Sequence, residues 1–308
     1  MRVAIIDLGT NTFNLLIGDI HGNHSWTQVF KIKEGVKLGQ GGINKGFIVD
    51  EAYKRGLAAM ARHYDRIKQH NVDKVYAFGT SALRDAANGQ EFISDVKQKF
   101  GFDITLISGD KEAELIYKGV RQTVDSINGT FLILDIGGGS NEFIIAGPDQ
   151  FYWKESFKLG MARLMDKFSP PDPITPELIK ELELYFENEL SSLFKAVEKY
   201  SPSVLVGASG SFDSIVNMYY SDIYSNEEVL PVSQKIDLEI FHHMHNKLIH
   251  SLSSEREKMK GLEPVRRDMI VLAVVFVNYI LKRLKIQQLY QSSYSLKEGA
   301  LWEVMQNM

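Results

Sequence analysis

The chain has 308 residues, of which 44% are hydrophobic and 24% charged, a balance typical of a globular protein large enough for two domains with their own cores. Its formal net charge is −4, so the overall charge does not indicate a nucleic-acid-binding surface. Cysteine is absent, which excludes disulfides, thiolate zinc sites and a cysteine nucleophile and fits a reducing compartment.

The first predicted element is a strand at the N-terminus that leads into a glycine turn. The opening MRVAIIDLG has no signal-peptide pattern, so we expect a cytoplasmic protein without a membrane partner. An apolar run ends at Asp7, and a second apolar run, typical of a return strand, ends at Gly18. Between them lie the turn residues Gly9, Thr10, Asn11 and Thr12. Such a turn can direct backbone N–H groups and polar side chains toward an anion.

Helices and strands alternate through the rest of the first half. After a glycine-rich connection at 38–46, the spacing of apolar residues predicts a helix over 50–69 and a strand over 74–78. A second helix over 92–100 and a strand over 104–107 follow. This alternation predicts an α/β layer.

The strand-turn-strand pattern returns 128 residues later, as ILDIGGGSNEFIIA at 133–146. The recurring pairs are Ile5 and Ile133, Asp7 and Asp135, Gly9 and Gly137, and Ile17 and Ile145. The second turn consists of Gly137, Gly138, Gly139 and Ser140. Neither copy has the following helix that a Walker loop or a dinucleotide fingerprint requires. The repeat predicts two similar halves that face each other.

An aspartate precedes each turn. A carboxylate repels phosphate directly, but it can hold a divalent cation that in turn binds phosphate. Asp7 and Asp135 are therefore candidate metal ligands.

The second half adds a third turn and a long apolar run. Pro176 suits the first turn of a helix, and a strand over 204–206 leads into the small-residue turn at 207–211. The apolar run at 269–281 has thirteen residues, whereas a membrane span needs about 20, so it predicts a buried helix.

Eight segments, in order along the chain, resemble one protein family. They are DLGTNTFNLLI at 7–17, GTSALRDAAN at 79–88, ISGDKEAELIYKGV at 107–120, ILDIGGGSNEFII at 133–145, LGMARL at 159–164, GASGSFDSI at 207–215, RRDMI at 266–270 and SYSLKEGAL at 293–301. With these motifs the chain resembles the exopolyphosphatase/guanosine pentaphosphate phosphohydrolase family, within the superfamily of actin-like, Hsp70-like and sugar-kinase ATPases.

The resemblance implies an α/β fold of two actin-like (ribonuclease H-like) domains with a ligand cleft between them. We expect domain I over 1–122, with a helix over 297–308 packing on it, and domain II over 123–296. Hinges are expected near 120–130 and 290–300. The resemblance also implies a short form without the additional C-terminal helical domain of longer relatives. We further expect a homodimer, although the sequence does not determine the oligomeric state.

The same resemblance implies a hydrolase that removes the terminal phosphate from inorganic polyphosphate, with guanosine pentaphosphate (pppGpp) as a second candidate substrate. Glu112 matches the catalytic base, and Asp7, Asp135 and Glu142 would arrange one or two Mg²⁺ ions, with K⁺ as a candidate activator. The two glycine turns, Arg84 and the third-turn residues Gly207, Ser209 and Gly210 would bind phosphate. Arg163 and Lys297 also match motif positions.

Departures from the family pattern leave the rate and the preferred substrate open. Lys111 stands where the family often has a second acid, Glu114 where it usually has arginine, and Asn14 where relatives often have arginine or histidine. The third turn is GASGSFDS in place of the commoner GxGGT form. Two alternatives remain: an ATP-dependent kinase or chaperone-type ATPase, and a polyphosphate or nucleotide sensor without turnover.

Overall fold

The computed structural model describes residues 1–21, 25–124, 127–208, 210–223 and 230–307. The first half contains the strands β1 (Arg2–Leu8), β2 (Thr12–His21), β3 (Ser25–Gly35), β4 (Lys74–Gly79) and β5 (Ile104–Leu106). Its helices are α1 (Asp50–Gln69), α2 (Ser81–Asp85), α3 (Gly89–Phe100) and α4 (Gly109–Val120), with short 3₁₀ helices at Ile43–Lys45 and Arg121–Thr123. The predicted order of helices and strands is confirmed, with boundaries shifted by up to three residues.

The second half is also built from strands and helices, and its described residues form more helices than those of the first half. Its strands are β6 (Phe131–Ile136), β7 (Asn141–Ala146), β8 (Phe151–Phe157), β9 (Val204–Ala208), β10 (Ser233–Ile236) and β11 (Gln288–Ser292). Its helices are α5 (Met161–Phe168), α6 (Pro176–Glu189), α7 (Ser191–Tyr200), α8 (Gly210–Ile223), α9 (Leu238–Ile249), α10 (Ser253–Arg256), α11 (Ile270–Arg283) and α12 (Leu296–Gln306), with a 3₁₀ helix at Pro264–Arg266.

Each half is built on one mixed sheet, and the two sheets share a strand order. The first runs β3-β2-β1-β4-β5. The second, written in the same direction, runs β8-β7-β6-β9-β11 and ends with an additional edge strand, β10. In each, an antiparallel three-strand meander continues into parallel strands at its first strand, β1 or β6. The two similar halves predicted from the repeat are therefore present.

Strand β1 shows how the sequence builds the core. Side chains alternate between the two faces of a strand, and this strand is apolar on both faces because helices cover both. Val3 and Ile5 pack into a cluster that contains residues of α4 and α12, whereas Ala4, Ile6 and Leu8 pack into one that contains residues of α1 and α3.

Helices α4 and α12 cross in close contact between the two sheets. A Cβ atom on Gly299 would lie 1.8 Å from the carbonyl oxygen of Leu115, and one on Gly119 would lie 2.0 Å from that of Ser295. Helix α12 also contacts β1 and β2, so the C-terminal helix packs against the first half. Residue 308, and residues 125–126 of the expected hinge, lie outside the described residues; the domain boundaries and the hinges stay predictions.

Helix α11 confirms the buried helix predicted from the apolar run. Its residues from Ile270 to Leu281 are all buried. Among the described residues, no helix combines the length and the apolar character that crossing a bilayer requires.

Candidate active site

The two predicted glycine turns face each other across one cleft. A Cβ atom on Gly138 would lie 2.4 Å from Nδ2 of Asn11, and one on Gly139 would lie 2.5 Å from Oγ1 of Thr10. A side chain at either position would displace these side chains of the opposite turn. The cleft is also lined by Gly9, Thr12, Gly137 and Ser140. The structure thus brings together all eight residues predicted for these turns.

Hydrogen bonds orient the backbone of the second turn. Its carbonyl oxygens accept from the start of α5: Gly137 from the N–H of Met161 at 2.9 Å, Gly138 from the N–H of Ala162 at 2.8 Å, and Gly139 from Nε of Arg163 at 2.7 Å. In a trans peptide the N–H points opposite to the preceding carbonyl, so the N–H groups of residues 138–140 point away from α5. Consecutive N–H groups arranged in this way form an anion-binding concavity.

The first turn is held in a comparable way by the loop after β3. The carbonyl of Thr10 accepts from the N–H of Gly39 at 3.1 Å, and the carbonyl of Asn11 accepts from the N–H groups of Val36 and Lys37, both at 2.9 Å. The N–H groups of Asn11 and Thr12 therefore point to the opposite side. The two turns match in detail, because Gly9 donates to the carbonyl of Thr12 at 3.0 Å, as Gly137 does to Ser140.

Four carboxylates meet in this cleft: Asp7, Glu112, Asp135 and Glu142. Asp7 and Asp135 are partly open to the cleft, whereas Glu112 and Glu142 are buried. Each accepts a side-chain hydrogen bond: Asp7 from Nδ2 of Asn14 at 2.9 Å, Asp135 from Oγ of Ser295, Glu142 from Oγ of Ser156 at 2.7 Å, and Glu112 from Nη1 of Arg84 at 3.4 Å.

Their surroundings disfavour ionisation. Desolvation raises the pKa of Asp7 and of Asp135 to about 6 each, although Lys297 lowers both, and it raises the pKa of Glu142 to about 7. Burial, followed by the neighbouring Glu142 carboxylate, raises the pKa of Glu112 well above its ordinary range. A cation that binds these carboxylates would therefore stabilise their ionised forms.

Glu112 lies in the first turn of α4, whose N-terminus is capped by Ser108. Its Oε2 lies 3.4 Å from Nη1 of Arg84, which also donates to the carbonyl of Ile107 at 2.7 Å. Arg84 thus lies beside the carboxylate and is not among the residues that line the cleft. Its predicted phosphate contact stays a prediction, as does the role of Glu112.

For Mg²⁺, the donor chemistry fits, but the protein ligands alone are few. Within the part of the chain that the structure describes, no group of three or more histidine, cysteine, aspartate or glutamate side chains could hold a metal ion. Mg²⁺ prefers oxygen ligands and usually takes one or two carboxylates together with water and substrate phosphate. One or two of Asp7, Asp135 and Glu142 would therefore suit an ion whose coordination is completed by water and phosphate.

The carboxylate cluster leads to a prediction on stability. Because the folded pKa of Glu142 is raised to about 7, its full contribution is present below its unfolded pKa and is lost as pH rises through the folded value. We expect Glu142→Gln, in EDTA, to match the wild type near pH 4 and to exceed its stability by on the order of 1–3 kcal/mol near pH 8. Chemical unfolding across this range measures the difference.

Mg²⁺ should reduce the stability difference between Glu142→Gln and the wild type near pH 8, because it stabilises the carboxylate that glutamine lacks. Glu114→Gln, on the same helix as Glu112 but outside the cleft, is the control. A stability difference between Glu142→Gln and wild type that does not change with pH would contradict the prediction.

The third turn is only partly in the cleft. Gly210 lines it, at the start of α8. Gly207 is not a lining residue; a Cβ atom there would lie 2.1 Å from the ring of Phe212, so this glycine makes room for a buried aromatic side chain. Ser209 lies outside the described residues. Phosphate binding by these three residues stays a prediction.

The departures at Lys111 and Glu114 lie away from the cleft. Nζ of Lys111 is 2.7 Å from Glu303 of α12, and Glu114 is 3.7 Å from Nζ of Lys154 in β8. Both side chains therefore form ion pairs with neighbouring elements and do not line the cleft. Asn14, in contrast, lines the cleft and donates to Asp7.

Arg163 joins the two halves at one side of the cleft. While its Nε donates to the second turn, its Nη1 donates to the carbonyl of Ile43 at 3.0 Å and its Nη2 to Asp85 at 2.5 Å. The LGMARL motif indicates Arg163, but no sequence pattern indicates its partners Ile43 and Asp85.

Three cations line the cleft within the described residues: Lys33, Arg266 and Lys297. Lys297 and Arg266 belong to segments that carry the family resemblance, whereas no local pattern marks Lys33. Its position follows from strand pairing, because Lys33 of β3 lies opposite Asn14 of β2.

Comparison with known proteins gives the family. The sequence profile of the Ppx/GppA phosphatase family matches residues 16–308. The chain belongs to this family. A crystal structure of an exopolyphosphatase from Cytophaga hutchinsonii is 36% identical, has a TM-score of 0.95, and is matched over 100% of this chain and 99% of that one.

Two curated relatives of this Ppx/GppA chain are less similar in sequence. A Haemophilus influenzae protein named "Putative exopolyphosphatase" is 27% identical over 306 residues, 99% of this chain and 92% of that protein. A Vibrio cholerae guanosine-5'-triphosphate,3'-diphosphate pyrophosphatase is 27% identical over 311 residues, and the chain spans 59% of its length.

These matches confirm the predicted family and the predicted α/β fold of two actin-like domains. The relatives carry the names of phosphate-releasing enzymes, so the kinase, ATPase and sensor alternatives are not favoured.

Proposed function

We propose that this Ppx/GppA chain hydrolyses the terminal phosphoanhydride bond of inorganic polyphosphate and releases orthophosphate, with pppGpp, a nucleotide of the stringent response, as a second candidate substrate. The observation that carries the proposal is the contact between the two glycine turns in a cleft that a buried carboxylate, Glu112, also lines. The names of the relatives support the same reaction.

The turns would bind the end of the polyanion. The N–H groups of residues 138–140 point away from α5 and those of Asn11 and Thr12 point away from the loop after β3, so they would be available to an anion, and Arg266 and Lys297 add positive charge at the cleft wall. Fixed donors of this kind stabilise the charge that spreads over the phosphoryl oxygens as the transition state forms.

Glu112 would prepare the attacking water. In the reaction, the water oxygen forms a bond to the terminal phosphorus, the bond to the bridging oxygen breaks, and Glu112 accepts the proton of the water. The products are orthophosphate and a chain shorter by one phosphate. The raised pKa of Glu112 makes it a stronger base than an ordinary carboxylate once it is ionised.

Mg²⁺ would be held by Asp7, Asp135 and Glu142 together with phosphate and water, and it would neutralise charge on the phosphates. Activation by K⁺, a cytoplasmic location and a homodimeric state belong to the same proposal.

Phosphate release measured with malachite green tests the function. With Mg²⁺, the protein should release phosphate from polyphosphate faster than from ATP, and a parallel assay with pppGpp decides on the second substrate. EDTA should lower the rate at least about tenfold, and Mg²⁺ should restore it. Binding of polyphosphate without any release would contradict the proposal and favour a sensor.

A further inference from the structure

Lys33 lies at the end of a row of polar side chains that crosses the first sheet. Asp7 of β1 pairs with Asn14 of β2, and Asn14 pairs with Lys33 of β3. Directly opposed residues on neighbouring strands point to the same face of the sheet, and here all three line the cleft. With strands about 4.8 Å apart, the row runs from the carboxylate cluster to an ammonium group about two strands away.

The charge of Lys33 is compensated across the cleft by a residue of the second half. Its Nζ lies 2.9 Å from both carboxylate oxygens of Glu263, and Glu263 also accepts from Nε of Arg266 at 3.1 Å. One carboxylate thus holds two of the three cations that line the described part of the cleft.

The accessible positive charge of the cleft is concentrated in this pair. Lys297 is committed to Glu298 at 3.2 Å, and its side chain is 6% exposed. The side chains of Lys33 and Arg266 are 24% and 18% exposed. Burial lowers the pKa of the Lys33 ammonium, so a second anion close to it would be favourable.

We propose that Lys33 is a further phosphate-binding residue, held by Glu263 while the cleft is empty and transferred to a substrate phosphate when the polyanion binds. This inference rests on the proposed function and deepens it. The lysine stem is flexible and its three donors rotate, so the ammonium can exchange one oxygen ligand for another without a change of backbone. Substrate and Glu263 then compete for the same cation.

Steady-state kinetics with tripolyphosphate and Mg²⁺ test the role. We expect Lys33→Met to raise KM about 10- to 100-fold with kcat within about threefold, because a charged hydrogen bond to phosphate is lost. Lys33→Arg should restore KM to within about threefold. Glu263→Gln should lower KM, since the competing carboxylate is gone.

Lys37→Met is the matched control, because Lys37 also forms an ion pair across the two halves, with Asp268 at 2.7 Å, but does not line this cleft. A change in KM of the same size in Lys37→Met and Lys33→Met would overturn the inference and show that Lys33 only joins the halves. Failure of Lys33→Arg to restore KM would also overturn the inference, as would an unchanged or higher KM in Glu263→Gln. The Glu263→Gln variant still tests the inference if Lys33→Met does not fold.

Titration calorimetry separates this inference from the proposed function. If the wild type binds tripolyphosphate but releases no phosphate, the proposed function fails. In that case weaker binding by Lys33→Met than by Lys37→Met still supports the role of Lys33, and equal binding overturns it.

Discussion

Glu112→Gln is expected to lower kcat for phosphate release from polyphosphate by about 10²- to 10⁴-fold, the range typical of a lost general base. Glutamine has nearly the same shape, but its amide cannot accept a proton from water. The carboxylate is buried in the cleft beside Arg84, where bulk buffer is poorly placed to replace it. Malachite-green assays at saturating substrate measure kcat, and calorimetry measures binding.

Binding should persist in this variant, because the turns that would hold the phosphates are untouched and one negative charge is removed. Glu114→Gln, two residues away on α4 and outside the cleft, should keep its rate within about threefold. A Glu112→Gln enzyme with more than about a tenth of the wild-type kcat would remove Glu112 from the role of base.

The second large effect is expected at Gly160, directly before α5. A Cβ atom there would lie 2.3 Å from the carbonyl carbon of Gly138 and 2.4 Å from its oxygen. These are backbone atoms, so no side-chain rotation relieves the collision. The second turn must move away from α5 in Gly160→Ala, and displacements of about 1 Å at a site can cost about 10²-fold in rate.

We therefore expect Gly160→Ala to lose about 10²-fold in kcat/KM and about 1–3 kcal/mol in the free energy of unfolding. Gly101→Ala is the control: its φ of 82° makes alanine strained, but nothing lies within 4 Å of the added methyl group. This control should lose stability and keep its rate. If both variants retain full activity, the position of the second turn is not set by its contact with α5.

The duplicated pattern was sufficient to predict two similar halves with facing turns, because each copy carries its own strands, aspartate and glycines within fourteen residues. The family motifs likewise placed Glu112, Asp135 and Glu142, which the structure brings into one cleft. Such patterns can be recognised in the sequence because the residues that form them lie close together along one strand or one helical turn.

What the sequence could not indicate depends on contacts between distant residues. Arg84 donates to the Ile107 carbonyl and to Glu112, and its motif specifies neither partner; its phosphate contact stays a prediction. The ring of Phe212 packs beside Gly207, a contact that the glycine pattern does not indicate. Lys33 enters the site through pairing with Asn14, nineteen positions earlier, and no one-dimensional periodicity encodes that register.

The crossing of α4 and α12 has a consequence for synthesis. Gly119 and Gly299 let the helix that carries Glu112 pack against a helix some 180 positions later, and the second segment delivers Ser295 to Asp135 and Lys297 to the cleft. A nascent chain on the ribosome therefore lacks one wall of the cleft until residues 295–306 have emerged. The proposed hydrolysis of polyphosphate is therefore expected to begin only after this helix has been translated, however early the first sheet forms.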